Sequence, residues 1–300
     1  MNFKQLKNQF FKNCTKQVTI DFTKSKKSLF FLLVLLSVSL VSFAQTPIKI
    51  LAVGNSFSRD AIEQNLHELA AADGYKSIIG NLYIGGCPIE RHVNNARNDA
   101  PAYQYRKIGV DGKMTEINKE KLSKALEEED WDYVSVQQAS HFSGIDSTYK
   151  LLPELVAYIH KYAPKAKIVF HQTWAYAKTS THEGFKNYGR NQMTMYNAIM
   201  KCSKRAVKDC HLSFIIPCGT AIQNARTSFI GDNLNRDGFH LELLVGRYIA
   251  ACTWFEKIFK HSVIGNSYAP NGMTEEQKAV AQKAAHNAVK HPYKITDMSK

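Results

Sequence analysis

Gly54-Asn55-Ser56-Phe57-Ser58 and Asp237-Gly238-Phe239-His240 are the two segments of this chain whose residue types could do covalent chemistry together. A serine hydroxyl is a poor nucleophile at neutral pH. It attacks a carbonyl when an imidazole takes its proton, and a carboxylate usually fixes that imidazole's tautomer. Asp237 and His240 stand three residues apart, so on one turn of chain the carboxylate can reach Nδ1 and leave Nε2 facing outward. Ser56 follows the apolar run Ile48-Lys49-Ile50-Leu51-Ala52-Val53 and opens a helical pattern. A strand that gives way to a helix N-terminus offers free N–H groups to a developing oxyanion, and Gly54 allows the tight turn. Each segment alone has a plainer reading, Ser56 as a helix cap and His240 as a satisfied structural histidine. Together, and in this order, they point to acyl chemistry at a serine.

The elements that must position these residues alternate as a parallel α/β sheet requires. Strands are expected at 48–53, 76–84, 131–136, 167–170 and 212–216. Helices are expected at 58–73, 88–98, 118–129, 148–161, 186–208, 241–259 and 274–289. In the helix over 241–259, Leu244, Tyr248, Ala251 and Phe255 share one face. Residues 103–117, with Tyr103, Tyr105 and the Asp111-Gly112 pair, break the alternation and read as an inserted β-hairpin. Residues 219–236 read as loop. No repeat or linker divides the chain, so residues 45–300 are expected to form one domain.

The N-terminus is a separate matter. Lys24, Lys26 and Lys27 lead into an apolar run from Ser28 to Val41, followed by Ser42-Phe43-Ala44-Gln45. This is the pattern of a secretory signal peptide over residues 1–44, cleaved after Ala44. The run is short for a membrane span, which needs about 20 residues. An exported protein, periplasmic or secreted, with no membrane span after cleavage is the expectation. Residues 1–44 hold seven Lys/Arg and one acid, which leaves 32 basic residues against 25 acidic. No block of like charge is long enough for a binding stripe, and no basic-aromatic module suggests nucleic acid. Cys87, Cys202, Cys210, Cys218 and Cys252 form no CxxC or zinc pattern. They read as buried small hydrophobes, with a Cys202–Cys210 or Cys210–Cys218 bridge as the alternative. His141, His171 and His182 have no partner at metal-ligand spacing, so no metal is expected.

Over residues 48–259 the chain resembles the SGNH (GDSL-like) hydrolases, in an exported bacterial branch whose members carry no assigned function. Gly54-Asn55-Ser56 matches the first block, with Asn in place of the usual Asp. Ile84-Gly85-Gly86-Cys87 fits the second, where Gly86 would lend its backbone N–H to the oxyanion hole. Asp237-Gly238-Phe239-His240 matches the last block without gaps. The third block departs: Val136-Gln137-Gln138-Ala139-Ser140 stands where the family has Gly-X-Asn-Asp. A glutamine amide is the same donor on a longer arm, and Gln137 is preferred to Gln138 because it shares a side of an extended chain with position 139.

The resemblance implies a three-layer α/β/α sandwich around a flavodoxin-like five-stranded parallel sheet, the SGNH hydrolase fold. It implies a Ser56–His240–Asp237 triad, an oxyanion hole of Ser56, Gly86 and Gln137, and no cofactor. The substrate class would be small esters, acetyl above all, on carbohydrate. His171, Trp174 and Asn235 are candidate substrate contacts, with Asn224 and Arg226 beside them in the loop. An O-acyltransferase on the same triad and a carbohydrate-binding protein without turnover are the alternatives.

Overall fold

The computed structural model of the protein describes residues 46–299. The expected signal segment lies outside them. β1 (Ile48–Gly54) is buried on both sides: Ile50 and Ala52 pack into one apolar cluster, Leu51 and Val53 into another. Successive strand residues face opposite ways, so a continuous apolar run demands cover on both faces and gives a three-layer α/β/α sandwich.

β1 pairs in parallel with β2 (Ser77–Tyr83) on one side and β5 (Tyr133–Val136) on the other. β6 (Lys167–His171) and the two-residue β7 (Ile215–Ile216) continue outward in parallel. The five parallel strands thus run in the flavodoxin order, with the reversal beside β1. β3 (Tyr103–Ile108) and β4 (Met114–Glu120) are the expected hairpin, and they extend the sheet to seven strands by pairing antiparallel along the outer edge of β2.

One face is covered by α1 (Ser56–Ile62), α2 (Leu66–Ala72), α6 (Gln192–Asp209), α7 (Cys218–Ala225), α8 (Val245–Phe259) and α9 (Glu275–Lys290). The other is covered by α3 (Ile89–Arg97), α4 (Leu122–Glu127) and α5 (Leu152–Tyr162). No described helix is long and apolar enough to cross a membrane.

Two expectations are corrected. The helix expected at 58–73 is two helices, because Asn65 takes a left-handed backbone (φ 68°) that an α-helix cannot contain. Residues 219–225, within the stretch expected as loop, belong to α7, whose eight residues are all buried. A helix covered on every side shows no polar–apolar period to read. All five described cysteines are free thiols, so neither alternative bridge forms.

Candidate active site

Asn55, rather than Ser56, caps α1. Its backbone is extended and its Oδ1 accepts the N–H of Phe57 at 3.0 Å. The cap therefore leaves the Ser56 hydroxyl free, at the mouth of the first turn. The chain passes tightly here: a Cβ on Gly54 would stand 2.2 Å from Ser58 Oγ.

The candidate acid and base, Asp237 and His240, sit in the loop ahead of α8. His240 Nδ1 lies 2.6 Å from Asp237 Oδ2, while Asp237 Oδ1 accepts the backbone N–H groups of Phe239 (3.1 Å) and His240 (2.8 Å). Gly238 makes this turn possible, with φ 87° and Ser180 packed against it. Burial on its own would raise the Asp237 carboxyl, but these hydrogen bonds and the His240 charge outweigh it and hold the group below its ordinary value.

Ser56 and His240 line one cavity of about 240 Å³, with Asn55, Tyr83, Gly85, Gly86, Ser140, His141, His182 and Phe239. Among the described residues no hydrogen bond joins Ser56 Oγ to His240 Nε2, and neither atom has another hydrogen-bond partner, while both residues line the cavity. Such contacts are often loose until substrate arrives. The backbone N–H groups of Ser56 and Gly86 also have no described partner. Gly86 takes a left-handed φ of 61° in the turn that follows β2.

The two glutamines of the altered third block do not reach this cavity, which corrects the expectation that Gln137 or Gln138 completes the oxyanion hole. Gln138 is spent on structure: Oε1 accepts the N–H groups of Ile89 and Ala139, and Nε2 donates to Thr148. Gln137 is a buried strut. Backbone groups fix its direction, because Asn55 Oδ1 accepts Phe57 N–H and Asn55 Nδ2 donates to Cys87 O at 3.1 Å. The Gln137 end facing Asn55 Oδ1 (2.7 Å) must then be its NH2. Its oxygen faces His171 Nδ1 at 2.7 Å, so His171 carries its proton on Nδ1.

The other expected contacts are also displaced inward. His171 is fully buried, and burial lowers its pKa to about 3. Trp174, likewise buried, stacks on Phe57 (ring centroids 4.1 Å apart) and donates Nε1–H to Phe239 O. It thereby joins the helix that begins with Ser56 to the loop that holds Asp237 and His240. Asn235 accepts from Arg226 and donates to Phe239 O, which shapes that loop from within. Asn224 is buried against α9 and the C-terminal segment.

What the sequence reading missed is the rest of the wall: Tyr83, Ser140, His141, His182 and Phe239. Tyr83 ends β2, and Ser140-His141 follow β5, so both stand at the carboxyl edge where ligands bind in such sheets. His182 has no comparable signal. Its Nδ1 accepts Gly184 N–H at 3.0 Å, which puts the proton of the neutral ring on Nε2. Burial, then the His240 charge, hold His182 below its ordinary pKa. Among the described residues no group of His, Cys, Asp or Glu is arranged to hold a metal.

A family model described as a domain of unknown function, DUF4886, matches residues 49–288. The chain belongs to the DUF4886 family. It is 55% identical to a DUF4886 protein from Bacteroides uniformis ATCC 8492 of known crystal structure, with a TM-score of 0.83, over 84% of this chain and 98% of that one. This DUF4886 chain is also similar to a proposed SGNH hydrolase from Slackia heliotrinireducens (21% identity, TM-score 0.48, covering 70% and 98%). A proposed GDSL-like lipase from Parabacteroides merdae ATCC 43184 is similar at 16% identity and a TM-score of 0.47, covering 72% and 98%. No curated protein matches the chain.

Proposed function

We propose that this protein is an exported serine esterase that removes small acyl groups, acetyl above all, from carbohydrate. The observation that carries the reading is the shared cavity: Ser56 lines it together with His240, whose Nδ1 is held by Asp237 at 2.6 Å. Ser56 Oγ attacks the ester carbonyl while His240 Nε2 takes its proton. The backbone N–H groups of Ser56 and Gly86 receive the oxyanion. His240 then protonates the departing alcohol. Water, deprotonated by the same imidazole, cleaves the acyl-enzyme and releases the acid. No step needs a cofactor. The small cavity favours a short acyl group, and export with the SGNH resemblance favours a glycan as the alcohol.

The engaged glutamines favour a second reading, a glycan-binding protein without turnover, since an expected oxyanion donor is missing. Fluorophosphonate labelling separates the two. The wild type should label at Ser56 and hydrolyse 4-nitrophenyl acetate, and Ser56→Ala should do neither. Absence of both in the wild type would overturn the esterase reading.

A further inference from the structure

We propose that the groove across the end of β2, the start of β3 and the end of β4 is a glycan subsite: it holds the sugar chain whose acylated unit lies at Ser56. The inference rests on the esterase reading and extends it to the rest of the substrate. The groove has a volume of about 530 Å³ and is lined by Tyr83, Ile84, Ala102, Tyr103, Gln104, Asn118 and Lys119. Tyr83 also lines the cavity of Ser56 and His240, so the two spaces share this residue.

The hairpin is shaped here by a bulge. Tyr105 pairs with Ile117 and Tyr103 with Glu120, so Asn118 and Lys119 together oppose Gln104. Lys119 takes a left-handed backbone (φ 59°), which a lysine adopts only under constraint. The bulge sets Asn118 and Lys119 along the groove. Among the described residues neither Lys119 Nζ, Asn118 Oδ1 nor Tyr83 Oη bonds to the protein. Gln104, by contrast, is held by Glu116 and Arg106, and the Arg106 guanidinium lies 4.7 Å from the Tyr83 ring centre. The groove therefore offers an aromatic ring fixed in place, an oriented amide, and an amide oxygen, ammonium and phenol awaiting partners. That set suits hydroxyl-rich rings with apolar C–H faces. A lipid chain would need an apolar wall, but Ile84 and Tyr103 are buried in the floor.

The test compares kcat/KM for acetylated di- and hexasaccharides of the xylan, glucan and chitin series. The ratio within one preparation is independent of the fraction of folded enzyme. The wild type should favour the hexasaccharide of at least one series by about fivefold or more. Lys119→Gly, whose glycine suits the left-handed backbone, and Asn118→Trp, which fills the groove, should bring that ratio to about one. Variants that keep the wild-type ratio would overturn the subsite. So would a wild type that hydrolyses 4-nitrophenyl acetate but gains nothing from length in any series. If the wild type hydrolyses no ester, the esterase reading has failed separately. Calorimetry with the unacetylated hexasaccharides then decides: binding lost in Asn118→Trp supports the groove, and no binding overturns it.

Discussion

Asp60 Oδ2 accepts the backbone N–H of Leu241 at 2.9 Å, joining residues 181 apart in sequence. Asp60 lies one turn past Ser56 on α1, and Leu241 directly follows His240. The same buried carboxylate receives Arg236 at 3.0 Å and Arg247 at 3.0 and 2.7 Å. One side chain therefore ties the helix that begins with Ser56 to the segment that carries His240. Removing its charge leaves Arg247 buried without a counter-ion, so Asp60→Asn should cost about 3–5 kcal/mol of stability. Arg236 is partly exposed, and Arg236→Ala should cost about 1 kcal/mol or less while still lowering kcat. Urea titration beside 4-nitrophenyl acetate turnover would show it; an Asp60→Asn protein as stable as wild type would rule out the clamp.

On the esterase reading, Gln137 is a positioning residue: it bonds to Asn55 and His171 and lies outside the cavity. Gln137→Leu takes a donor from Asn55 and strands the His171 Nδ1–H in the core. Loosening the Asn55–Cys87 tie should displace Gly86, and displacements near 1 Å cost on the order of 100-fold in rate. The loss should fall on kcat with KM little changed. Adding His171→Leu removes the stranded donor and should recover part of the stability without recovering the rate. Equal kcat in wild type and Gln137→Leu would count against this role.

Asp237→Asn tests the acid of the triad. The backbone N–H groups of Phe239 and His240 would hold the oxygen of the substituted amide where they now hold Asp237 Oδ1. The amide NH2 would then face His240 Nδ1 and force the imidazole proton onto Nε2, where no base remains. The substitution should therefore lower kcat by about four orders of magnitude and leave the fold intact by circular dichroism. A loss below about tenfold would remove Asp237 from the triad.

Two buried histidines should make the fold acid-sensitive. Burial lowers the pKa values of His92 and His171 to about 3, from an ordinary 6.5. Below pH 6.5 the unfolded chain takes up protons that the folded one refuses, so stability falls as pH drops toward 3. Each histidine contributes a slope of up to about 1.4 kcal/mol per pH unit. Unfolding free energies measured at pH 7.5, 6 and 5 should decline, and His171→Gln should decline less steeply. Parallel curves would contradict the assignment.

Much of this is legible in the sequence. The β1 run, the Gly54–Ser58 turn and the Asp237–His240 spacing each express a local rule of geometry, and each stands where expected. Gln137 departs from its expected role because β5 ends at Val136. Strand parity no longer applies one residue later, and Gln137 turns inward. His171 and Trp174 pass for surface contacts in the sequence because residue type and place at a strand end cannot tell a cavity wall from the layer behind it. Asp60 gives no signal at all. A lone acid near the start of a helical pattern reads as solvated surface, and its partners lie more than 170 residues away.

Asn55 gives the altered first block a meaning beyond the cap. An aspartate there could accept from Phe57 and Gln137, but it would set a second oxygen against the Cys87 carbonyl, where Asn55 places a donor. The amide at position 55 therefore serves the Cys87 carbonyl, and with it the turn that holds Gly86, whereas Gln137 could donate to either residue type.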